Sequence, residues 1–126
     1  MSKIILILGL LWMRDSIARD RCFGQERLYF REVSKTQFKN NWESCSRQFF
    51  LYLNMVPRTL SCLLETYSPN LTSQCLSCFA ESSQCMRSNC KTACALGRNA
   101  FCENCAIRYC QDSLMSCSGL SLEELP

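Results

Sequence analysis

The sequence predicts a small all-α protein that is held together by disulfide bonds, and two observations support this fold class. Cysteines make up 12 of the 126 residues, a proportion typical of cross-linked scaffolds. Apolar residues recur at steps of three and four along most of the chain, whereas no stretch alternates at period two for long enough to indicate a strand. We therefore expect a disulfide-rich helical bundle, in which an aromatic-rich helical hairpin precedes a cysteine-stapled three-helix half.

Residues 1–18 have the features of a secretory signal peptide. Lys3 provides a basic start, an apolar run follows, and the Ser-Ile-Ala triplet at 16–18 fits the small-x-small rule for cleavage after Ala18. The apolar run is shorter than the ~20 residues that a helix needs to cross a bilayer. A retained amphipathic anchor is the alternative interpretation, and membrane contact is expected only through this segment.

Residues 19–69 are predicted to form the aromatic-rich hairpin. Ser34 and Gln37 match a capping box, in which Ser34 accepts a hydrogen bond from the backbone of Gln37 at the start of a helix. Pro57 is expected to end this long helix, and Pro69 a shorter one that follows it. The long helix places Phe38, Trp42, Cys45, Phe49, Tyr52 or Leu53, and Val56 on one face, the shorter one carries Leu60, Leu63, Leu64 and Tyr67, and Arg27 to Phe30 add a turn or two of helix.

Residues 70–119 carry nine of the cysteines and are predicted to form three short helices in an up-down-up arrangement. Helices this short are marginal in water, so we expect disulfides to stabilise them by ~2 to 4 kcal/mol each. The second helix carries Cys90 and Cys94, and the third runs without a break from Cys102 to Cys117. The predicted end signals are Thr72 or Ser73 at the start of the first helix, Gly97 at the end of the second, and Asn99 and Gly119 around the third.

Two polar features lie at the edges of this cysteine-rich half. Asn70-Leu71-Thr72 is a glycosylation sequon, which makes Asn70 a candidate modification site in a secreted protein. Residues 120–126 contain Glu123 and Glu124. We interpret them as a solvated tail rather than as an acid/base pair.

The cysteines admit three chemical interpretations. The two C-x-x-C motifs, at 75–78 and 102–105, resemble the halves of a four-cysteine zinc site, but the other cysteines would remain unexplained and a secretory route would oxidise them. A thioredoxin-like motif needs a βαβ context, and a nucleophilic cysteine usually needs a histidine, of which the chain has none. We therefore expect no enzyme activity, metal or cofactor, and interpret all the cysteines as half-cystines: Cys22, Cys45, Cys62, Cys75, Cys78, Cys85, Cys90, Cys94, Cys102, Cys105, Cys110 and Cys117.

The residues alone predict that Cys75 to Cys94 pair with one another or with Cys102 to Cys117. The spacing Cys78-x6-Cys85-x4-Cys90-x3-Cys94-x7-Cys102-x7-Cys110 also resembles the framework of the secreted mating pheromones of ciliates, which are small three-helix proteins released from precursors. The resemblance covers about a quarter of the chain. It implies the pairs Cys78 with Cys94, Cys85 with Cys110, and Cys90 with Cys102, whereas Cys75, Cys105 and Cys117 depart from the pattern.

Two non-enzymatic functions are consistent with the sequence. The first is a secreted, pheromone-like recognition ligand that binds a protein receptor through a rigid surface. The alternative is a structural accessory subunit of a larger membrane-associated assembly in an oxidising compartment, such as an intermembrane space, an organelle lumen or the cell surface. The 14 basic and 11 acidic residues are too balanced to indicate nucleic acid. In either case the predicted interaction surface comprises Phe38, Trp42, Phe49 and Tyr52. The alternative is that this aromatic face packs on the cysteine-rich half as part of an ordinary core.

Overall fold

The computed structural model describes residues 20–95, 97 and 99–126, so the predicted signal segment lies outside the described residues. Within these ranges the protein has six α-helices and no strand, which confirms the predicted all-α, disulfide-rich class. The helices are α1 (Gln25–Glu32), α2 (Lys35–Gln48), α3 (Met55–Tyr67), α4 (Ser73–Asn89), α5 (Ala100–Tyr109) and α6 (Gln111–Ser118).

Several predicted helix ends form as expected, because each depends on residues only a few positions apart. Gly119 follows α6 in the left-handed conformation, with φ +75°. A side-chain oxygen accepts a backbone N–H at the start of α2, α4 and α5: Ser34 from Gln37 at 3.2 Å, Thr72 from Cys75 at 3.3 Å, and Asn99 from Cys102 at 2.9 Å.

Three predicted helices differ from the structure, and two of them differ in where they end or break. The long helix ends at Gln48 rather than at Pro57, and Pro57 lies in the first turn of α3, where its missing N–H has no helical partner to lose. The predicted third cysteine-rich helix is two helices, because Cys110 leaves helical geometry and serves both as the end of α5 and as the start of α6.

The predicted short helix around Cys90 and Cys94 is a series of turns. These two cysteines are tied to Cys105 and Cys102 on α5, and the intervening chain bends to meet both bonds. Gly97, with φ +91°, therefore lies in a loop and does not end a helix.

The core is a cluster of aromatic rings that joins both halves of the chain. Phe30 of α1, Phe38 of α2 and Phe79 of α4 are 0–1 % exposed. Their ring centroids lie 4.9–5.3 Å apart, and Trp42 contacts Phe79 edge-on at 5.2 Å. Burying each phenylalanine contributes about 1.5 to 3 kcal/mol, so Phe79 attaches the cysteine-rich half to the aromatic hairpin.

All twelve cysteines are paired, and four of the six disulfides are nested, joining the stretch from Cys78 to Cys94 with the stretch from Cys102 to Cys117. The outermost nested bond joins Cys78 to Cys117 and the innermost joins Cys94 to Cys102. The six pairs are Cys22–Cys75, Cys45–Cys62, Cys78–Cys117, Cys85–Cys110, Cys90–Cys105 and Cys94–Cys102.

These pairs correct three expectations and confirm one. Of the pairs implied by the pheromone resemblance, only Cys85–Cys110 is present. Cys78–Cys94 is wrong because α4 is one continuous helix that places Cys78 and Cys90 about 18 Å apart at ~1.5 Å per residue, so Cys94 lies at the far end of α4 from Cys78. Cys90–Cys102 is wrong because Cys90 bonds to Cys105 and Cys102 bonds to Cys94. Cys75 pairs with Cys22 rather than within the cysteine-rich half, because the Cys22 N–H donates to the Ser118 carbonyl at 2.9 Å and holds the start of the described chain beside α4.

The interpretation of residues 120–126 as a solvated tail is also wrong. Leu120 is 2 % exposed, and the Glu124 side chain is only 5 % exposed. Arg27 of α1 donates to both carboxylate oxygens of Glu124 at 2.9 Å, and Arg31 donates to one at 3.0 Å. The hydrogen bonds from Arg27 are the main cause of a Glu124 pKa far below its usual range. Glu123 is exposed, and its backbone carbonyl accepts a hydrogen bond from Lys35.

Candidate functional site

The structure separates the four aromatic residues that were predicted to form the interaction surface. Phe38 is fully buried, and Trp42 is 6 % exposed. The Trp42 indole donates to the Phe79 carbonyl at 3.0 Å and to the Ser83 hydroxyl at 2.8 Å, which anchors α2 to α4. This burial assigns Phe38 and Trp42 to the core rather than to an exposed interface. Phe49 and Tyr52 lie beyond the end of α2, outside the core.

Residues 49–54, which connect α2 to α3, form an exposed apolar loop. Leu51 is 83 % exposed, Tyr52 45 % and Leu53 fully exposed. Single exposed apolar residues are ordinary on protein surfaces, but three in succession on one projecting loop are a feature of binding surfaces. We refer to residues 49–54 as the apolar loop.

Three kinds of contact hold the apolar loop in place. The Arg87 guanidinium of α4 donates to the backbone carbonyls of Phe50 at 3.2 Å and Tyr52 at 2.5 Å. The Arg58 guanidinium lies 4.8 Å from the centre of the Tyr52 ring, within cation–π range, and the Tyr52 ring meets the Phe49 ring edge-on at 5.6 Å. The Cys45–Cys62 disulfide joins α2 to α3 beneath the loop. These contacts restrain the backbone of the loop and the Tyr52 ring.

The sequence contains a signal for the apolar loop that the helical spacing of apolar residues up to Pro57 does not reveal. Residues 49–53 are five consecutive apolar or aromatic residues, more than one face of a helix can bury. Asn54 follows at the N-cap position of α3, just before Pro57 in the first helical turn. Together these features indicate a break between two helices rather than one helix that continues to Pro57.

The predicted glycosylation site lies far from the apolar loop. Asn70 is exposed in the turn after α3, and Thr72 of the same sequon caps α4 while its hydroxyl donates to the Glu26 carboxylate at 3.1 Å. The 13 residues of α3 span about 20 Å at ~1.5 Å per residue. Because the apolar loop precedes α3 and Asn70 follows it, a glycan on Asn70 would leave the loop accessible.

The cysteines of the two C-x-x-C motifs bond to partners outside their own motif. Cys75 and Cys78 pair with Cys22 and Cys117, whereas Cys102 and Cys105 pair with Cys94 and Cys90. A disulfide sulfur is not a thiolate, and the thiolate is the form that attacks substrates and binds zinc. In the part of the chain that the structure describes, no three histidine, cysteine or acidic residues are arranged to hold a metal ion.

Comparisons of the chain with protein-family models, with curated proteins and with solved structures found no match. Within residues 20–95, 97 and 99–126, no helix is both long enough and apolar enough to cross a membrane. The apolar loop is thus the feature of the described chain that most clearly indicates a function.

Proposed function

We propose that the protein is a non-enzymatic recognition ligand, secreted from the cell, whose apolar loop binds a protein receptor. Six disulfides indicate a protein of the extracellular space or another oxidising compartment, because such bonds are rare in the cytosol. The observation that carries the proposal is the rigid, exposed presentation of Leu51, Tyr52 and Leu53.

The composition and order of the apolar loop suit a binding surface. Aromatic and apolar residues form the energetic centre of protein interfaces, and arginine is enriched there. Tyr52 and its partner Arg58 supply an aromatic ring and a guanidinium beside the two exposed leucines. Because Arg87 and the Cys45–Cys62 bond already fix the loop, little conformational entropy is lost when it binds.

The test is the binding of fluorescently labelled protein to cells of the source organism, with competition by unlabelled variants. We expect saturable binding of the labelled protein. The double variant Leu51→Ser, Leu53→Ser should compete for it at least about 30-fold more weakly than wild type, because burying one leucine side chain contributes about 1.5 to 3 kcal/mol. Leu28→Ser is the matched control, since Leu28 is 48 % exposed on α1, outside the loop. Equal competition by the loop variant and wild type would rule out the loop as the recognition surface.

An intact-mass measurement of the native protein, before and after reduction and alkylation, tests secretion independently. The proposal expects cleavage after Ala18 and a mass gain of twelve alkyl groups only after reduction. A retained Met1 in a membrane fraction would support the accessory subunit instead. A glycan on Asn70 would appear in the same spectrum.

The accessory subunit remains the second candidate, and exposed apolar residues on different sides of α5 favour it. Phe101 of α5 is 79 % exposed, and Ile107 and Tyr109 of the same helix are 56 % and 51 % exposed. A subunit enclosed in an assembly buries apolar residues on more than one side. Native gel analysis distinguishes the two functions: loss of a high-mass species in Phe101→Ser, but not in the loop variant, would favour the subunit.

A further inference from the structure

A groove of about 630 Å³ lies between α2, α4 and residues 94, 95 and 97, which precede α5. Its volume is within the range of about 300 to 1,000 Å³ that is usual for small-molecule sites. The walls are mostly apolar and comprise Phe50, Leu51, Met86, Ala95 and the Cys94–Cys102 disulfide, with Trp42 at the base. Methionine adapts its shape to irregular apolar ligands, so Met86 suits such a wall.

The polar groups at the base of the groove are already satisfied by one another. The hydroxyls of Ser46 and Ser83 lie 2.6 Å apart, the Ser46 hydroxyl donates to the Trp42 carbonyl at 2.8 Å, and the Trp42 indole donates to Ser83. An apolar ligand could therefore occupy the groove without leaving these buried groups unpaired.

The mouth of the groove carries more positive than negative charge. Arg47, Lys91 and Glu43 line it, and Arg47 bonds to Glu43 at 2.5 Å. Lys91 is exposed, and its ammonium has no ion pair or hydrogen bond among the residues that the structure describes. The groove thus combines an apolar interior with one cation at its entrance that is available to an anionic group.

We infer that this groove binds a single-chain amphiphile with an anionic head group, of the fatty-acid class. The acyl chain would lie along Phe50, Met86 and the Cys94–Cys102 disulfide, and the carboxylate would face Lys91. The inference does not depend on the receptor proposal, because binding of such a ligand is measured on the purified protein alone.

The first experiment is a fluorescence titration of the disulfide-intact protein with 11-(dansylamino)undecanoic acid, below the concentration at which the probe forms micelles. We expect saturable binding at one site, displacement by oleate, and about 1.4- to 5-fold weaker binding of the probe's methyl ester, because an exposed ion pair contributes ~0.2 to 1 kcal/mol. Absence of saturable binding, or equal binding of acid and ester, would overturn the inference.

Paired variants locate the site. Ala95→Trp fills the groove and should abolish probe binding, whereas Ala100→Trp, at an exposed position outside the groove, should not change it. Lys91→Glu should weaken binding about 3- to 30-fold, because it replaces an attraction by a repulsion, and Arg108→Glu on α5 serves as its control. Near-ultraviolet circular dichroism checks that each variant keeps its core. Unchanged binding in a folded Ala95→Trp would contradict this location.

The alternative occupant is a second copy of the chain. Sedimentation velocity of wild type and Ala95→Trp, with and without oleate, separates the two possibilities. A monomer in every sample agrees with the amphiphile. A wild-type dimer that Ala95→Trp dissociates would make the groove a subunit interface and would disprove the inference.

Discussion

The aromatic hairpin and the cysteine-rich half obtain their order in different ways. In the hairpin, α3 alone buries Met55, Thr59, Leu63 and Tyr67, and the Cys45–Cys62 bond is the one disulfide that lies wholly within this region. In the cysteine-rich half, α5 buries only Cys102, but four nested disulfides join the stretch from Cys78 to Cys94 with the stretch from Cys102 to Cys117. Covalent bonds therefore take the place of a core where the helices are too short to bury one.

The largest effect is expected at Phe79, where the two regions meet. Phe79→Ala removes contacts to Phe30, Phe38 and Trp42 and should lower the free energy of unfolding by about 3 to 5 kcal/mol. Phe101→Ala, at a 79 % exposed position, is the matched control and should stay within about 0.5 kcal/mol of wild type. Urea unfolding followed by circular dichroism gives both values. Similar losses for the two variants would show that the aromatic cluster does not join the regions.

A smaller effect is expected when one disulfide is removed from each region. Replacing both cysteines of Cys94–Cys102 by alanine should cost about 2 to 3 kcal/mol, since the bond closes a short loop. The loss of protection from hydrogen exchange should concentrate in residues 90–95 and 99–105, where little apolar burial remains.

The matched change in the hairpin is Cys45→Ala with Cys62→Ala. It should cost about 3 kcal/mol globally, yet the amides of α2 and α3 should remain protected, because the aromatic cluster still holds them. If each double variant lost hydrogen-exchange protection to the same degree in its own region, the two regions would not differ in how they are stabilised.

The third effect comes from Glu124, which ties the end of the chain to α1. Its folded pKa lies below the ordinary value of about 4.3, mainly through the Arg27 hydrogen bonds, so its stabilisation is complete above that value and is lost as the pH falls toward the folded pKa. Glu124→Gln should therefore be less stable than wild type at pH 7, and the two proteins should converge toward pH 2. The loss should be smaller than for the disulfides, because Arg27 and Arg31 are 43 % and 59 % exposed.

Urea unfolding at pH 7, 4 and 2.5 measures this dependence. Glu123→Gln is the neighbouring control, since Glu123 is exposed and should change stability little at any of these pH values. A constant difference between Glu124→Gln and wild type at all three pH values would disprove the electrostatic origin of the effect.

The smallest effect is expected at Thr59, in the buried face of α3. Within the described residues, its hydroxyl is buried without a hydrogen-bond partner. Thr59→Val removes this hydroxyl at nearly constant volume and should stabilise the hairpin by roughly 1 kcal/mol. Thermal unfolding measures the gain, with Thr36→Val at an exposed position of α2 as the control. A destabilised Thr59→Val protein would indicate that the hydroxyl is satisfied.

Several local features of this fold were predictable from the sequence, although the helix ends assigned to Pro57 and Gly97 were wrong, whereas the contacts of Glu124 with distant residues were not predictable. The caps at Ser34, Thr72 and Asn99 act over three residues and could be predicted correctly. The burial of Glu124 depends on Arg27 and Arg31, which are 97 and 93 residues away in the sequence. Its acidic neighbour Glu123 alone indicated a solvated tail. The apolar loop was hidden because Tyr52 and Leu53 also fit the period of a continuing helix.

The disulfide pairing did have a signal in the sequence, but it becomes visible only when the cysteine intervals before the central loop are compared with those after it in reverse order. Cys78 and Cys85 are seven residues apart, as are Cys110 and Cys117, and Cys85 to Cys90 matches Cys105 to Cys110 at five. Equal intervals read outward from a central loop are the pattern expected when two antiparallel segments are bonded in register. Comparison with a family framework obscured this symmetry, because it left Cys105 and Cys117 unassigned.

The nested order of the four bonds has a consequence for how the protein is made. Direct closure of the outermost bond joins cysteines 39 residues apart, but once the inner bonds exist only seven residues separate Cys78 from Cys85 and Cys110 from Cys117. This shortening lowers the entropic cost of the last closure by about 1 kcal/mol. Disulfide formation is thus favoured from the innermost pair outward, because each bond shortens the loop that must close to form the next bond.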